Sequence, residues 1–545
     1  SLRPRERKFS RTRLVRKRGM EVAIIGGGPS GLIAAKCLAD EGIAFTVFEC
    51  SGAIGGHWNV DGEKSAMWTS LRANTSSLMT SFSCLRHDER VLVFPRGTQI
   101  RQYLERFTDE FKLRDHIKLN AEVVNISRDP TSDGYEVMYN ENGAQRLTNF
   151  SHLIVASGRF NKPWMPEVTG FVKGGPIEMV HARDYKGPEM FAGKRVLVVG
   201  SSVSAYEIGG DIANDSKVKA VTSICRNPRY VLHKAHNGIP IEGQVFTRTH
   251  ELVARHVSAE TASEQIKDFI VASNSDPSTF GAPKPHSDTR HMQVTFGSVW
   301  LQQVKDGRIK AMVAEIREVS GNKVFLSNGE ILEVDSILMS TGYELNLPFL
   351  SRDLASTMQV DRDFVHMYQR TFHPDLPNLA CIGLYNHFGP YFPVVELQSR
   401  WVAMVMKGIK TLPPREEQLA SIARYKLLCQ DKSQVRKEGF FHQNLLLFAN
   451  LCGAEPSLTE RPDLLKPLLF GPLAPSQFRI SGHGAYPGAA EQFAEDAENF
   501  GLVPEQLDGP QLKTVELVAQ HMNNPEMLEV LRRFQQEAGA AASSG

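Results

Sequence analysis

The stretch Glu21-Val-Ala-Ile-Ile-Gly-Gly-Gly-Pro-Ser-Gly-Leu-Ile-Ala-Ala-Lys-Cys-Leu-Ala-Asp40 joins a short apolar run, a glycine-rich turn and a segment with helical spacing. We predict a buried strand over Glu21–Ile25 and a helix over Leu32–Glu41. A second apolar run, Ala44–Phe48, is predicted to be the next strand, and Glu49 follows it directly. This order predicts one βαβ unit with a parallel pair of strands.

The turn between strand and helix has the spacing G-x-G-x-x-G that binds dinucleotides. Gly26 permits the tight turn, Gly28 lets the backbone approach a pyrophosphate, and Gly31 lets the helix meet the strand. The helix N-terminus supplies N–H donors and a positive dipole end, and Glu49 is placed to hold a ribose hydroxyl. An ordinary glycine-rich turn is the alternative. The predicted binding residues of this unit are Gly26, Gly28, Pro29, Ser30, Gly31 and Glu49.

A second unit of the same kind is predicted from the strand Arg195–Val199, the helix Tyr206–Ala213 and the strand Ala220–Ile224. It keeps only the first glycine of the spacing, because Ser202 and Ala205 replace the later two. Small residues still allow close approach, and serine hydroxyls can donate to phosphate. The predicted binding residues here are Gly200, Ser201, Ser202 and Ser204.

Arg226 follows the second strand of this unit, where the first unit has an acidic residue. An arginine can pair with the 2'-phosphate of NADPH, so NADPH is favoured over NADH. A solvated arginine at a strand end is the alternative. The acidic first unit and the basic second unit predict that FAD is bound first along the chain and NADPH second.

Between and after these units the chain predicts a helix over Ile100–Leu113, antiparallel strands around Val123 and over Tyr135–Tyr139, and strands over Leu153–Ala156 and Ile331–Met339. The predicted fold is α/β, with two Rossmann-like domains of which the NADPH domain is inserted into the FAD domain. The predicted limits are a basic leader (1–19), a FAD-binding domain (20–175 and 331–500), an NADPH-binding domain (176–330) and a C-terminal helical extension with a tail (501–545).

The composition is typical of a soluble globular protein, since 41% of the 545 residues are hydrophobic and 23% are charged. This excludes collagen-like, disordered and nucleic-acid-binding classes, and no apolar run approaches the roughly 20 residues that span a bilayer. Residues 1–19 hold nine Arg or Lys against Glu6 alone, so we expect a disordered basic leader, with a targeting segment or polybasic contact as the alternative.

The seven cysteines form no C-x-x-C pair and no metal-ligand spacing. We therefore expect reduced thiols, a cytoplasmic location, no bound metal and no flavin disulfide-reductase chemistry. A homo-oligomer is left open.

From residue 20 to about residue 492 the chain resembles the flavin-containing monooxygenases. The turn at 26–31 is followed by Gly55-Gly-His-Trp58, similar to a family loop, and Leu71–Met79 resembles the family segment whose asparagine lies beside flavin and nicotinamide. His181-Ala-Arg-Asp-Tyr185 resembles half of the family's identifying sequence, although Gly174 lies seven residues before His181 where the family has four. This spacing leaves Gly174 without an assigned role.

Further segments resemble animal-type members that oxygenate amines and sulfides, namely Pro393–Trp401 and Phe470–Arg479, and Ser340–Tyr343 resembles the family's alanine-threonine-glycine-tyrosine. The resemblance implies a catalytic role for Asn74. It implies cofactor contacts for Gly56, Trp58, Thr75, Thr341, Gly342 and Gln398. The apolar tail of membrane-embedded members is replaced by an amphipathic segment over 512–534, so no transmembrane anchor is expected.

The resemblance also implies a mechanism. NADPH reduces FAD, O2 adds at the flavin C4a position, and the hydroperoxide transfers its distal oxygen to a nucleophilic nitrogen or sulfur. The cofactor performs this chemistry, while the protein supplies orientation and a dry pocket. Asn74 fits because a neutral amide both donates and accepts hydrogen bonds. The alternatives are a Baeyer–Villiger monooxygenase acting on ketones and a non-catalytic flavoprotein scaffold.

Overall fold

The computed structural model describes residues 19–59, 62, 65–256, 259–273, 276–286, 294–430, 439, 441–458 and 460–501. It also describes residues 507, 511, 528–529, 532–534, 536–537 and 539–540 of the C-terminal segment. Residues 1–18 of the expected basic leader, and most of the expected C-terminal helical extension and its amphipathic segment 512–534, lie outside these ranges.

The first of two large sheets contains five strands, all paired in parallel. Its strands, in spatial order, are Leu379–Cys381, His152–Val155, Glu21–Ile25, Ala44–Phe48 and Ile117–Lys118. The helix Pro29–Asp40 connects the strands Glu21–Ile25 and Ala44–Phe48 of the predicted βαβ unit. It begins three residues earlier than predicted, because a proline suits the first helical position and has no N–H to leave unsatisfied.

The second sheet also contains five parallel strands. Its strands, in spatial order, are Ile309–Val313, Ala220–Cys225, Arg195–Val199, Ser336–Met339 and Glu178–His181. The helix Val203–Asn214 follows the central strand. Every strand of this sheet lies between the fourth and fifth strands of the first sheet along the chain, so the α/β fold with an inserted second Rossmann-like unit is confirmed. We call the two sheets with their helices the first and second nucleotide units.

The predicted strand Ile331–Met339 needs correction. Its first part, Ile331–Glu333, pairs antiparallel in a small meander, while Ser336–Met339 pairs with Arg195–Val199 in the second sheet. The predicted domain limit at residue 330 would separate this strand from its partner. We therefore propose that the second unit extends to about residue 340.

Smaller elements complete the two units. Antiparallel meanders are formed by Ala121–Arg128, Tyr135–Glu141 and Ala144–Phe150, and by Ile316–Ser320, Lys323–Leu326 and Ile331–Glu333. Paired short strands are Tyr230–Leu232 with Val294–Phe296, Ala235–His236 with Ile239–Pro240, and Lys162–Pro163 with Tyr343–Glu344. The remaining helices are Gly97–Glu110, Glu242–Val245, Arg248–His256, Ala259–Ala272, Ser298–Lys305, Arg352–Thr357, Phe392–Lys407, Arg415–Gln430, Phe441–Cys452, Leu465–Phe470 and Ala489–Phe500.

The largest apolar core lies on one face of the first sheet, where Leu32 and Ile33 of the helix Pro29–Asp40 pack with Val394 and Leu397 of the helix Phe392–Lys407. This core holds the glycine-rich turn between rigid elements. Within the described ranges, no helix combines the length and the apolar character that crossing a membrane requires.

Candidate cofactor and active site

Two glycines of the first turn are required by the chain itself. Gly26 has a φ of +114°, and a Cβ built on it would lie 2.5 Å from the carbonyl oxygen of Ala156. A Cβ on Gly31 would lie 1.8 Å from the carbonyl oxygen of Gly26. Neither position can hold a side chain without moving backbone, so these glycines set the close approach of helix, turn and neighbouring strand.

Gly28 differs, because the protein leaves room at this position. It precedes the helix Pro29–Asp40 with an extended backbone (φ −80°, ψ −177°), and no side chain caps the helix. A Cβ on Gly28 would meet only the backbone of Gly56, its Cα at 3.5 Å and its N at 3.8 Å, which are ordinary contacts. The open space beside uncapped helix N–H groups fits a pyrophosphate.

Glu49 lies directly behind this turn and is 5% exposed. The Gly27 N–H donates to its Oε2 at 2.8 Å, and the Ser51 N–H donates to its Oε1 at 2.8 Å. The carboxylate therefore braces the glycine-rich turn. Its predicted contact with a ribose hydroxyl stays a prediction.

The loop Gly55–Trp58 is joined to the turn, as the structure places the Gly55 N–H 2.9 Å from the carbonyl oxygen of Gly27. A Cβ on Gly56 would lie 3.1 Å from the Cα of Gly28, so the loop and the turn are in close contact. Trp58 packs against the large apolar core. Gly56 and Gly28 thus line the same space.

The side chain of Asn74 is half-buried, and the backbone on either side of it is hydrogen-bonded. The Ala73 N–H donates to the Pro95 carbonyl at 2.8 Å and the Ser77 N–H donates to the Val93 carbonyl at 2.7 Å, which hold the backbone on both sides. The Oδ1 atom of Asn74 is buried and has no hydrogen-bond partner among the residues that the structure describes. Leaving such an acceptor unpaired costs about 1–3 kcal/mol, so a bound group that donates to it fits this position.

Thr75, the next residue, has a different environment. Its Oγ1 lies 3.0 Å from Oγ1 of Thr80. The structure therefore gives Thr75 a partner within its own segment, and its implied cofactor contact stays a prediction.

The turn of the second unit repeats the first glycine requirement. Gly200 has a φ of +135°, and a Cβ on it would lie 2.6 Å from the carbonyl oxygen of Ser340. Ser202 precedes the helix with an extended backbone (φ −86°, ψ 178°) and its side chain does not cap it. Ser204 lies in the first turn of the helix Val203–Asn214. The uncapped N-terminus fits a second pyrophosphate.

Ser201 is engaged by the chain, because its Oγ donates to the Asn227 carbonyl at 3.0 Å and accepts from Nε of Arg229 at 3.3 Å. Burial lowers the pKa of the Arg229 guanidinium. Arg226 extends outward instead, with its side chain 71% exposed and its Nε 3.5 Å from Oε1 of Glu315. Both arginines follow the strand Ala220–Cys225, but only Arg229 is packed against the turn.

Known proteins are similar to this chain over most of its length. The model of a family described as flavin-binding monooxygenase-like matches residues 19–498. The chain belongs to this family. It is 28% identical over 496 residues to flavin-containing monooxygenase 5 of Oryctolagus cuniculus, covering 86% of this chain and 90% of that protein. It is 30% identical over 491 residues to dimethylaniline monooxygenase [N-oxide-forming] 2 of Mus musculus, with the same coverage of 86% and 90%.

Among solved structures, S-allyl-L-cysteine S-oxygenase of Allium sativum superposes with a TM-score of 0.59 at 20% identity, over 95% of this chain and 98% of that one. This likeness supports the fold. The chain is therefore a monooxygenase, an oxidoreductase of a family that binds FAD and NADPH. The cradle at Gly28 and the unpaired oxygen of Asn74 fit those cofactors.

Two further predicted residues of this monooxygenase lie where the two units connect. Thr341 donates through its Oγ1 to the Trp164 carbonyl, and the Trp164 N–H donates to the Gly342 carbonyl at 3.0 Å. Nε2 of His181 also lies 3.0 Å from that carbonyl oxygen. The structure places Thr341 and Gly342 directly after the second sheet, at the crossing between units.

Gln398 is engaged by the protein itself, and its implied cofactor contact stays a prediction. Its Nε2 donates to Oγ1 of Thr371 at 2.8 Å and to the Cys381 carbonyl at 3.2 Å, and its Oε1 accepts from the Gly383 N–H at 3.0 Å. The side chain is fully buried, and its amide is satisfied within the protein. Gln398 therefore holds the loop that follows the strand Leu379–Cys381.

Sequence reasoning missed Gly383 in that loop. It has a φ of +70°, and a Cβ on it would lie 2.6 Å from Oγ of Ser30 in the first turn. A buried strand followed by a glycine was the available signal, because Gly383 comes two residues after the strand Leu379–Cys381. Glu242, whose carboxylate accepts a hydrogen bond from the Ser76 N–H, was also missed and had no sequence signal.

Proposed function

We propose that this monooxygenase uses NADPH and O2 to oxygenate soft nucleophiles, an amine nitrogen or a sulfide sulfur, through a C4a-hydroperoxyflavin. The reaction balances with one oxygen atom of O2 entering the substrate and the other leaving as water, while NADPH supplies a hydride, which carries two electrons, solvent supplies one proton, and NADPH is oxidised to NADP+. Relatives named for N-oxide formation and a structural neighbour named an S-oxygenase support the substrate class.

The single observation that carries this proposal is the buried, unpartnered Oδ1 of Asn74. A carboxamide can accept through Oδ1 and donate through Nδ2, so it can orient neighbouring donors and acceptors without transferring a proton. Its backbone is held on both sides, which keeps the amide in one place. We propose that Asn74 orients the nicotinamide and the reactive oxygen.

The remaining residues bind and orient. The space at Gly28 receives the pyrophosphate of FAD, and the turn at Gly200 and Ser202 receives that of NADPH. Arg226 is placed to pair with the 2'-phosphate once it leaves Glu315, because an exposed ion pair stabilises by only about 0–1 kcal/mol. A cytoplasmic location is also proposed, and the seven free thiols agree with it.

The test measures product formed per NADPH consumed. Wild-type holoenzyme is given N,N-dimethylaniline, a thioether and a cyclic ketone, and we expect an N-oxide or S-oxide at a ratio near one, with no lactone. Lactone as the main product would instead indicate a Baeyer–Villiger enzyme. Rapid mixing of the reduced holoenzyme with O2 and NADP+ should show a long-lived oxygenated flavin spectrum.

The residue test is Asn74→Leu, which keeps the volume and removes hydrogen bonding. We expect full FAD content and continued NADPH oxidation, with the product ratio falling roughly 10-fold as H2O2 is released. Asn125→Leu is the matched control, because Asn125 is equally half-buried but lies in the meander Ala121–Arg128. An unchanged ratio in Asn74→Leu would remove Asn74 from the mechanism.

A further inference from the structure

The segment 65–77, which we call the Asn74 segment, is held by side chains of the second nucleotide unit. Near its start, Lys186 donates to the Ser65 carbonyl at 2.8 Å. Farther along, Oγ of Ser70 donates to Oδ2 of Asp211 at 2.8 Å. Asp211 belongs to the helix Val203–Asn214.

Two contacts lie closer to Asn74. Nζ of Lys234 is 3.5 Å from the carbonyl oxygen of Arg72, and a carboxylate oxygen of Glu242 accepts the Ser76 N–H. Of these contacts, the bond from Ser76 lies on the C-terminal side of Asn74, across 166 residues of chain. Glu242 therefore contacts the Asn74 segment at Ser76, two residues after Asn74.

Glu242 is itself rigidly placed. It begins the short helix Glu242–Val245, and a Cβ on the next residue, Gly243, would lie 2.3 Å from the carbonyl oxygen of Phe500. The helix is thus pressed against the end of the helix Ala489–Phe500. Such close backbone contact leaves Glu242 little freedom to move away from Ser76.

The carboxylate occupies an unfavourable environment. Glu242 is 1% exposed, and within the described part of the chain its second oxygen, Oε2, is buried without a hydrogen-bond partner. Burial raises the pKa of Glu242 to about 7, while hydrogen bonds from Ser76 oppose this change. A neutral acceptor would satisfy the Ser76 N–H without burying an ionisable group, so stability alone does not explain a glutamate here.

We propose that Glu242 is a positioning residue that holds the Asn74 segment through the Ser76 amide and so links the placement of Asn74 to the packing of the helix Glu242–Val245 on the helix Ala489–Phe500. The proposal rests on the proposed function, since Asn74 is the group it positions. When the helix Glu242–Val245 is displaced, the Ser76 amide loses its acceptor and Asn74 loses its support. Oxygen transfer then depends on this contact being in place.

The experiment compares Glu242→Gln, which keeps an acceptor oxygen, with Glu242→Met, which keeps the length and removes it. Amide hydrogen exchange is followed in a peptide covering 71–79 of the holoenzyme. We expect roughly 10-fold faster exchange in Glu242→Met, and wild-type exchange in Glu242→Gln. The product formed per NADPH should fall in Glu242→Met and recover in Glu242→Gln, while FAD content stays full in both.

Glu251→Met is the control, because Glu251 is also buried, in the helix Arg248–His256, but pairs with His442, far along the chain from the Asn74 segment. It should leave exchange in 71–79 unchanged. If Glu242→Met does not fold, Glu242→Ala serves the same comparison. Unchanged exchange and coupling in the acceptor-free variant, or equal losses in Glu242→Gln, would overturn the proposal. Because exchange is measured without substrate, it tests the positioning even if the wild-type enzyme oxygenates no amine or sulfide.

Discussion

The turns of the two nucleotide units are alike where each contacts the neighbouring strand of its sheet, and they differ where each contacts the following helix. Gly26 and Gly200 both have positive φ, and a Cβ on either would lie within 2.6 Å of a carbonyl oxygen at the end of the neighbouring strand. At the third position, however, the first unit has Gly31, where a Cβ would lie 1.8 Å from backbone, and the second has the fully buried Ala205. The second helix must therefore lie farther from its turn.

The ends of the second strands differ as well. In register, Phe48 is equivalent to Ile224, so Cys225 takes the place of Glu49 and Arg226 follows one residue later. The Glu49 carboxylate accepts a hydrogen bond from the Gly27 amide of the turn, whereas Arg226 is largely exposed. The first turn is thus braced by the chain itself, while the second leaves a cation at its mouth.

The largest effect on the fold is expected from Gly31→Ala, because the helix and the first turn approach each other most closely at Gly31. Its Cβ would overlap the Gly26 carbonyl, and overpacking costs about 1–3 kcal/mol or more. We expect lost FAD and a lower melting temperature. Ala205→Gly in the second turn should cost only about 0.5–1 kcal/mol. Flavin absorbance per protein and thermal unfolding check both, and a fully flavinated, stable Gly31→Ala would contradict the comparison.

A more selective change places a carboxylate at each pyrophosphate position. In Gly28→Asp the added Cβ makes only ordinary contacts, so the fold should persist, while like charges about 4 Å apart repel by roughly 4 kcal/mol at an effective dielectric of about 20. We expect an unaltered circular dichroism spectrum without bound FAD. Ser202→Asp should keep FAD and raise the KM for NADPH instead. Loss of FAD in both variants would mean that the two turns do not act separately.

The smallest effect is expected from Arg226→Ala. Losing a charge-assisted contact of about 1.5–3 kcal/mol should weaken NADPH use roughly 10- to 100-fold and leave NADH kinetics nearly unchanged. Steady-state kinetics with both coenzymes measure this. Equal losses with NADPH and NADH would make Arg226 structural and transfer the 2'-phosphate to Arg229, the arginine packed on the second turn.

Much of the fold could be predicted because the decisive signals are local. The strands Glu21–Ile25 and Ala44–Phe48 were predicted with the observed bounds, and the second unit was found although it keeps only one glycine of the spacing. The predicted limit at residue 330 separates the strand Ser336–Met339 from Arg195–Val199, with which it pairs. The sequence of an apolar run does not show which sheet the run joins. The hydrogen-bond partners of the Gln398 amide could not be predicted for a similar reason, since they come from three distant positions.

The sequence by itself determined the alternation of strands, helices and turns, the two nucleotide units and the residues that line their turns. These follow from periodicity and from the backbone freedom of glycine, which act within a few residues. Only the tertiary structure decided that Gly383 abuts Ser30, that Asn74 retains an unpaired oxygen, and that Glu242 supports the segment beside it. Such contacts join residues far apart in the chain, where close packing, and not local preference, chooses the partner.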